Sequence, residues 1–563
     1  MKKYKLIILT ALAASLFTAC SDDDYSKLYE DPGKTTTVSC DKLMTGVFYD
    51  AKGYIFNTYW RMYTWDNIFA KYTQTVGYKN NSGAVYAYND GYANDRWESF
   101  YMSLAQFRQL ENQYNKENEA QQSSDRIFKD LAEVVLYDQL SQVVSVFGDV
   151  PFTKAGYIGI TGDANASRAP YDDDVELYRT MLSRLGELYS DISTIQSSVS
   201  ALVSKSLVSQ DFINGGDLSK WKAFANSLRL RIAVNVASQG DLTTEARAAI
   251  KECLTRDLVT SDDQSIEVSA NNQDTELYNS DDVINSFKDI NNVASQPMID
   301  ALTRVNGLDD YRLPVIYSPN KDGKYVGTNR TETNDEQTQR GSAFNGFGNG
   351  AWSDRYYAYL DSATFTGNRL LISPILTAAE VDFLRAECYQ NGWASGDAKA
   401  AFVSGVVNST KFYYRENNAF KSSYGFVGTC PDESLIQAYA EKLWNTYDNK
   451  LEAIMTQKWV NFGVLQAPLA WNDIRRTGYP VLSYPTDTQA QSLANLPNRI
   501  FPVCSVQAAT AAPTLRPPPT RPSTRWRTAL SPPPPTTGAT ATTSRSTTAR
   551  TMTATPIPLS MPI

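Results

Sequence analysis

The sequence predicts a mainly α-helical protein in which helical hairpins pack together, and three stretches carry that prediction. Residues 217–238 and 451–465 place apolar side chains at the spacing of an amphipathic helix, and residues 377–388 open with Thr-x-x-Glu before such a face. Apolar residues three and four positions apart share one side of a helix, and Thr-x-x-Glu is typical of a helix start. Short turns between successive helices favour stacked hairpins like those of tetratricopeptide arrays, although no strict repeat period is visible.

We expect the helix over 217–238 to lie at the centre of the fold. Asp217 follows two glycines and is predicted to cap the first turn. Arg229 and Arg231 lie between two apolar stripes, where their stems can cover apolar surface and their guanidinium groups can pair with carboxylates. Two stripes predict a helix that is covered on more than one side. They comprise Trp221, Phe224, Ala225, Leu228, Ile232 and Ala233, and then Leu230, Val234 and Ala237.

The N-terminus predicts an exported lipoprotein. Met1–Ala19 has a basic start and an apolar run that is too short to span a bilayer, which is typical of a signal peptide. Cys20 ends a loose lipobox and is the predicted lipidation site, with ordinary signal cleavage near Ala19 as the alternative. Residues 20–40 are predicted to be an acidic tether.

Residues 73–94 are predicted to form a ligand-binding loop, because Gly and Asn residues interrupt any helical pattern there. Exposed tyrosines beside amides suit sugar binding, since the rings stack on sugar faces and the amides bind hydroxyls. The alternative is that the tyrosines fold back onto the helices, and Asp95 is predicted to cap the helix that follows. The predicted binding residues of this loop are Tyr86, Tyr88, Asn89 and Tyr92.

A second long loop, residues 319–368, is the predicted opposite wall of the ligand site. It carries Trp352 and Tyr356 beside a glycine-rich stretch, and a long aromatic loop in a compact protein is usually functional or disordered. By contrast, the aromatic residues of the stretch 41–72, Trp60 among them, occur at nearly helical spacing and are predicted to belong mainly to the core.

Composition excludes several classes of function. The chain of 563 residues contains no histidine, which excludes Ser-His-Asp and Cys-His catalysis and the common histidine zinc sites. The net charge is −8, and because residues 505–563 hold six Arg and no acid, the rest of the chain carries −14. Such an acidic body is unsuited to nucleic acid. The six cysteines form no C-x-x-C, and the five beyond Cys20 are predicted to be buried singly rather than paired in disulfides: Cys40, Cys253, Cys388, Cys430 and Cys504.

Four ordered blocks resemble the SusD/RagB family of outer-membrane nutrient-binding lipoproteins. They are GGDLSKWKAFANSLRLRIA (215–233), FGDVPF (147–152), TAAEVDFLRAECYQNG (377–392) and LEAIMTQKWVNFGVLQAPLAWNDIRRTGYP (451–480). The resemblance implies a single SusD-like α-helical domain over residues 41–503, with hairpins packed beside a loop-rich face. It also implies a lipid-anchored, surface-exposed protein of the outer membrane. Its expected partner is a SusC-like TonB-dependent transporter, and its expected cargo is an oligosaccharide or a peptide.

Within the last block, Asp473, Arg475 and Arg476 are predicted to form a structural salt-bridge corner. A carboxylate beside two guanidinium groups, without a second acid or a nucleophile, suits an ion pair better than catalysis. We therefore predict a binding protein with no catalytic residue. No motif for a cofactor or a metal is present, and a Ca²⁺ ion held by loop oxygens stays open because it needs no motif.

The match to the family ends near Val503, and residues 504–563 differ from the rest of the chain. From 505 onward they hold 12 of the 25 prolines and no Lys, Asp, Glu, Asn or Tyr, a composition that predicts disorder. Two origins stay open for this tail: an out-of-frame reading of the gene's true end, or a native Pro/Thr-rich extension.

Two other functions stay open at this stage. A helical-repeat scaffold would bind protein partners only. An α-helical glycoside hydrolase would need two carboxylates about 5–10 Å apart in a cleft, and the sequence cannot pair loop acids such as Asp90 and Asp354. Sugar turnover would distinguish the hydrolase, and the absence of any small ligand would favour the scaffold.

Overall fold

The computed structural model confirms the mainly α-helical prediction. Short strands and single turns of 3-10 helix connect the helices. The described residues are 38–77, 90–238, 240–268, 284, 286–287, 293–329, 332–340, 356–420 and 427–484. The predicted signal peptide, the Cys20 site and the tail 504–563 lie outside them, as do the last residues of the predicted 41–503 domain.

Among the described residues, the first half of the chain supplies nine α-helices and one π-helix. The two long neighbours Asp90–Lys116 (α3) and Glu119–Phe147 (α4) are joined by two residues, so they form an antiparallel hairpin. In chain order the elements are α1 (Cys40–Ile55), the π-helix (Trp60–Asp66), α2 (Asn67–Thr73), α3 (Asp90–Lys116), α4 (Glu119–Phe147), α5 (Ile158–Thr161), α6 (Asp174–Gln196), α7 (Ala201–Gln210), α8 (Leu218–Val236) and α9 (Thr243–Cys253).

Among the described residues, the second half adds eight α-helices, a short second π-helical segment (Ser362–Thr366) and four short strands. The strands are β1 (Ile266–Val268), β2 (Tyr317–Ser318), β3 (Tyr359–Leu360) and β4 (Ser373–Leu376), and they pair as two antiparallel ribbons, β1 with β4 and β2 with β3. The helices are α10 (Gln296–Leu302), α11 (Leu313–Ile316), α12 (Asn334–Gln339), α13 (Ala378–Gln390), α14 (Ala398–Ala419), α15 (Glu433–Asn445), α16 (Lys450–Phe462) and α17 (Ala467–Thr477).

Helix α8 is buried on all sides, as its two apolar stripes predict. It packs against α4, α6, α9 and α13, and both stripes belong to the core. Asp217 caps its first turn by accepting hydrogen bonds from the backbone N–H groups of Ser219 and Lys220. Arg231 binds carboxylates on two neighbouring helices, Asp138 on α4 and Glu380 on α13. The prediction of a central helix with paired arginines is confirmed.

The predicted capping box at the start of α13 is half right. Thr377 accepts a hydrogen bond from the backbone N–H of Glu380, as a cap should. The Glu380 carboxylate, however, accepts both Nε and Nη2 of Arg231 at 2.6 Å. A bidentate guanidinium contact is stronger than a second hydrogen bond to the backbone. The Glu380 side chain therefore pairs with Arg231 and does not complete the capping box.

The predicted salt-bridge corner near the end of α17 is confirmed for Asp473 and Arg476 and is wrong for Arg475. Arg476 pairs with Asp473 at 2.8 Å and with both carboxylate oxygens of Glu387, and Lys458 pairs with Asp473 at 2.9 Å. Arg475 lies apart from this cluster, with its guanidinium 3.6 Å from the ring centre of Trp471. All four members of the corner are buried, which suits a structural role.

Two further expectations concern cysteines and membranes. Cys40, Cys253, Cys388 and Cys430 are all free, the first three buried, so the prediction of single buried thiols holds for most of the described cysteines. Burial raises the pKa of the Cys253 thiol to about 12, which keeps it protonated and inert. None of the helices in the described part of the chain has both the length and the apolar character that crossing a bilayer requires.

Candidate ligand-binding surface

Three aromatic side chains at the start of the π-helix and one from the first turn of α3 form a partly exposed group, which we call the aromatic surface. It comprises Tyr59, Trp60, Tyr63 and Tyr92. Trp60 is 47% exposed, a large fraction for an indole. An exposed apolar ring beside phenol groups has the chemistry of a carbohydrate-stacking site, because it offers a flat face together with hydrogen-bonding edges.

The rings of the aromatic surface contact one another. Tyr59 stacks on Tyr63 with 4.8 Å between ring centres and 27° between planes, and Tyr63 meets Tyr92 edge-on at 6.1 Å. Trp60 meets Tyr59 nearly at a right angle, 5.8 Å away. Trp60 also lies beside Gly53 of α1, where even an added Cβ would be 3.9 Å from the nearest atom of the indole, an ordinary van der Waals distance. Rings held by other rings need little ordering when a ligand binds.

The inner side of the π-helix is anchored by one arginine. Arg61 donates hydrogen bonds to the carbonyl oxygens of Ile55 (2.7 Å), Pro374 (2.9 Å) and Leu465 (2.9 Å), and its Nε lies 3.4 Å from Asp66 Oδ2. The arginine thereby ties the π-helix to the end of α1, to β4 and to the segment before α17. Segments of π-helix are rare and frequently found at functional sites.

Two carboxyl groups lie one helical turn from residues of this region: Asp50 from Gly53 on α1, and Asp95 from Tyr92 on α3. Burial raises the pKa of the Asp50 carboxyl above its ordinary value, although Lys52 opposes the shift. The pKa of Asp95 is also raised, by burial and by the neighbouring charge of Glu98.

The structure corrects the prediction for Tyr92 and Asp95. Helix α3 begins at Asp90, so Tyr92 lies in its first turn and not in a loop, and Asp95 lies inside the helix and does not cap it. Gly91 costs helix stability, but Ala93 is buried and Tyr92 packs against Tyr63, which offsets that cost.

Tyr356, from the predicted second wall, is 36% exposed and lies against Tyr357 and Arg340. The Arg340 guanidinium lies 5.2 Å from the centre of the Tyr356 ring and pairs with Glu332. Burial raises the pKa of the neighbouring Tyr357 phenol, which donates to Glu332 at 2.8 Å. In the part of the chain that the structure describes, no ring contact joins Tyr356 to the aromatic surface.

Backbone hydrogen bonds nevertheless bring the ends of the two predicted loops together. Gly77, the last described residue before stretch 78–89, donates from its N–H to the carbonyl of Val293 at 2.7 Å. Val293 in turn forms an antiparallel bridge with Tyr359, three residues after Tyr356. The backbone at the start of the first predicted loop therefore lies close to the backbone that follows Tyr356 in the second.

Gly77 is required at this junction. A Cβ atom on residue 77 would lie 2.5 Å from the carbonyl oxygen of Ala294, which is backbone and cannot turn aside. We expect Gly77→Ala to lower the free energy of unfolding by about 1–3 kcal/mol in urea titrations. Gly240→Ala is the matched control, because no atom lies within 4 Å of the added Cβ there. Equal losses in the two variants would contradict the crowding argument.

The other predicted binding residues lie outside the described part of the chain: Tyr86, Tyr88, Asn89 and Trp352. Sequence reasoning missed Tyr59, Trp60 and Tyr63, which it left to the core or did not single out. One signal was available: Tyr59 and Trp60 are adjacent, and neighbours in a helix point about 100° apart, so both cannot face one core.

One group of side chains has the composition of a metal site. Cys40, Glu117 and Asp125 place their ligand atoms within 4.8 Å of one another, and the Cys40 thiol donates to Glu117 at 3.2 Å. Burial and both carboxylates raise the pKa of that thiol, so it is a hydrogen-bond donor in this arrangement rather than a thiolate ligand.

Comparison with known proteins gives one family. A family model described as "Starch-binding associating with outer membrane" matches residues 32–502. A chitin-binding protein of known structure superposes with a TM-score of 0.63 at 19% identity, covering 83% of this chain and 94% of that one. No curated protein sequence matches the chain.

Two further solved structures superpose almost as well. A SusD homologue from Bacteroides fragilis gives a TM-score of 0.62 at 18% identity, covering 82% of this chain and 92% of that one. A SusD homologue from Parabacteroides distasonis gives 0.60 at 18%, covering 84% and 93%. At such identities the likeness shows the fold.

Proposed function

Since the chain belongs to the SusD-like family of starch-binding, outer-membrane-associated proteins, we propose that it captures a glycan at the aromatic surface without cleaving it. It would work at the cell surface, anchored through a lipid on Cys20, beside a SusC-like TonB-dependent transporter that takes up the cargo. The family description and the name of the chitin-binding neighbour support a glycan as cargo.

The observation that carries the proposal is the exposed Trp60 within a group of mutually packed tyrosines, on a helix whose inner side is tied to three other segments. Stacking on such a surface needs no metal and no cofactor. The loop ends near Gly77 and Tyr359 support contributions from Tyr86, Tyr88, Asn89, Trp352 and Tyr356, because both predicted walls start from adjoining backbone.

The charge of the protein supports a neutral glycan over an anionic one. The body of the protein is acidic as a whole, and Asp95 lies one helical turn after Tyr92 of the aromatic surface. A uronic-acid or sulfated chain would meet repulsion there, whereas the hydroxyls of a neutral sugar can donate to carboxylates.

Trp60→Ala tests the site. We expect it to weaken glycan binding about tenfold to a hundredfold, as truncation of an anchoring tryptophan does. The free energy of unfolding should change by less than about 1 kcal/mol, because nearly half of the side chain is already exposed. Calorimetry on the full-length protein and urea unfolding measure the two quantities. Leu202→Ala on α7, at an apolar side chain that is 78% exposed, is the control.

The cargo is tested first by affinity electrophoresis against neutral and anionic polysaccharides, with peptides alongside. Saturable binding of a neutral glycan with no product formed supports the proposal. If only peptides bound, the role beside the transporter would stand and a glycan would be excluded as the cargo. Binding of neither would favour the scaffold, and sugar products would favour the hydrolase.

Cys20→Ala tests the anchor. The variant lacks the thiol that takes the lipid, so we expect it to leave the outer-membrane fraction and appear with the soluble protein. Fractionation of cells that express the full-length protein, followed by immunoblotting, measures this. Retention of the variant in the membrane fraction would contradict lipid anchoring at this residue.

A further inference from the structure

A small cavity lined by both polar and apolar side chains lies directly beneath the π-helix. It has a volume of about 30 Å³, and its lining includes Tyr54, Arg61, Trp65, Asp66 and Gln139. Trp65 and Asp66 are the last two residues of the π-helix, and Gln139 lies on α4. The cavity therefore separates the inner side of the π-helix from the long helix below it.

Four fully buried polar atoms of this lining have no hydrogen-bond partner among the described residues: Tyr54 Oη, Trp65 Nε1, Asp66 Oδ2 and Gln139 Oε1. The nearest polar contact of Asp66 Oδ2 is Arg61 Nε at 3.4 Å, too long for a good hydrogen bond. Leaving a buried polar atom unsatisfied costs about 1–3 kcal/mol, and native structures rarely tolerate several at one place. The set requires a ligand that both donates and accepts.

Water meets that requirement and a cation does not. A water molecule needs about 10–15 Å³ and several polar partners, so the cavity has room for about two. Two oxygens require donors, one N–H requires an acceptor and the Tyr54 hydroxyl can do either, which two waters supply. The carboxyl groups of Asp66 and Asp138 also line the cavity, but each already faces an arginine, Arg61 and Arg231. The Arg96 guanidinium lies 4.5 Å from the Tyr54 ring centre, so a cation would add to an excess of positive charge.

We propose that this cavity is an internal hydration site in which ordered water ties the π-helix to α4. Trp65, Asp66 and Gln139 are then positioning residues, because they hold the far side of the element that carries Trp60 and Tyr63. None of the three is exposed enough to touch a ligand. Only the last step, the effect on glycan affinity, rests on the proposed function.

A high-resolution crystal structure of the full-length protein tests the site itself. We expect about two density peaks within about 2.7–3.2 Å of Trp65 Nε1, Asp66 Oδ2 and Gln139 Oε1. A dry cavity would overturn the proposal. A single peak about 2.3–2.6 Å from the two oxygens would also overturn it, because that spacing indicates a metal ion.

Hydrogen exchange tests, without any glycan, whether the hydration site holds the π-helix to α4. Trp65→Phe removes one polar atom from the lining, and Gln139→Met removes Oε1 together with Nε2, which donates to Asp138 Oδ2 at 2.9 Å. We expect the amides of residues 60–66 to exchange about fivefold faster in both variants. Phe69→Leu is the matched control, because Phe69 contacts the Trp65 ring but does not line the cavity. Unchanged exchange in both variants, or the same acceleration in Phe69→Leu, would overturn the bracing.

Glycan affinity then separates the inference from the proposed function. If the wild-type protein binds a glycan, Gln139→Met should weaken binding about fivefold while Phe69→Leu leaves it unchanged. Equal affinity in the Gln139→Met variant and the wild type would overturn the positioning role. If the wild type binds no glycan, the proposed function fails, and crystallography and hydrogen exchange still decide the hydration site.

Discussion

Replacing Arg231 by Met lowers the free energy of unfolding by about 3–5 kcal/mol, because two carboxylates stay buried without a counter-charge. Arg231 Nε and Nη2 each lie 2.6 Å from an oxygen of Glu380, and Nη1 lies 3.0 Å from Asp138. Nη2 also donates to the carbonyl of Ile375 at 2.8 Å. One side chain therefore joins α8, α4, α13 and strand β4. Urea unfolding measures the loss.

The loss should depend on pH. Burial raises the pKa of Asp138, and Arg231 is the main charge that opposes the rise. Without Arg231 the two carboxylates take up protons more readily, so the variant should lose less stability at pH 5 than at pH 8. Lys411→Met, which breaks an exposed ion pair with Glu433, should cost about 0–1 kcal/mol. A similar small loss for Arg231→Met would contradict the argument.

The sequence predicts that Arg231 finds a carboxylate, but it cannot say which one. Periodicity fixes the face of a helix on which a side chain lies, whereas Glu380 is 149 positions away. The same limit explains the capping box at Thr377. Its local pattern is correct, and the distant guanidinium competes successfully for the Glu380 side chain. A local sequence pattern predicts the type of an element and the face that it buries. It does not predict which distant residue pairs with a buried charge.

For the candidate site the local pattern is less informative. Gly91 and the asparagines before it indicate a loop. Tyr92 nevertheless packs against Tyr63, and a local sequence pattern does not contain the energy of such a tertiary contact. The nearly helical spacing of the aromatic residues in stretch 41–72 predicts that Trp60 belongs to the core. The π-helix changes that spacing and turns the indole outward to 47% exposure.

Asp66 should make the protein less stable as pH rises, although it is paired with an arginine. Burial raises the pKa of its carboxyl to about 7, with Arg61 and Arg96 opposing the shift. Tyr54 and Asp138 are the other titratable groups that line the same cavity. A carboxyl with a raised pKa binds its proton more tightly in the folded state than in the unfolded state. Its contribution to stability is therefore full below about pH 4 and is lost as pH rises through about 7.

Asp66→Asn removes this dependence, since the amide never ionises. We expect the variant and the wild type to have similar stability near pH 4, and the variant to gain about 4 kcal/mol relative to the wild type by pH 9. Urea unfolding across that range measures the difference, with Asp322→Asn on the exposed turn after Asn320 as the control. If the variant instead falls behind as pH rises, Arg61 holds Asp66 ionised in the folded protein. The ion pair would then outweigh the cost of burying it, and the anchoring of the π-helix would be electrostatic rather than a matter of hydrogen bonds and packing.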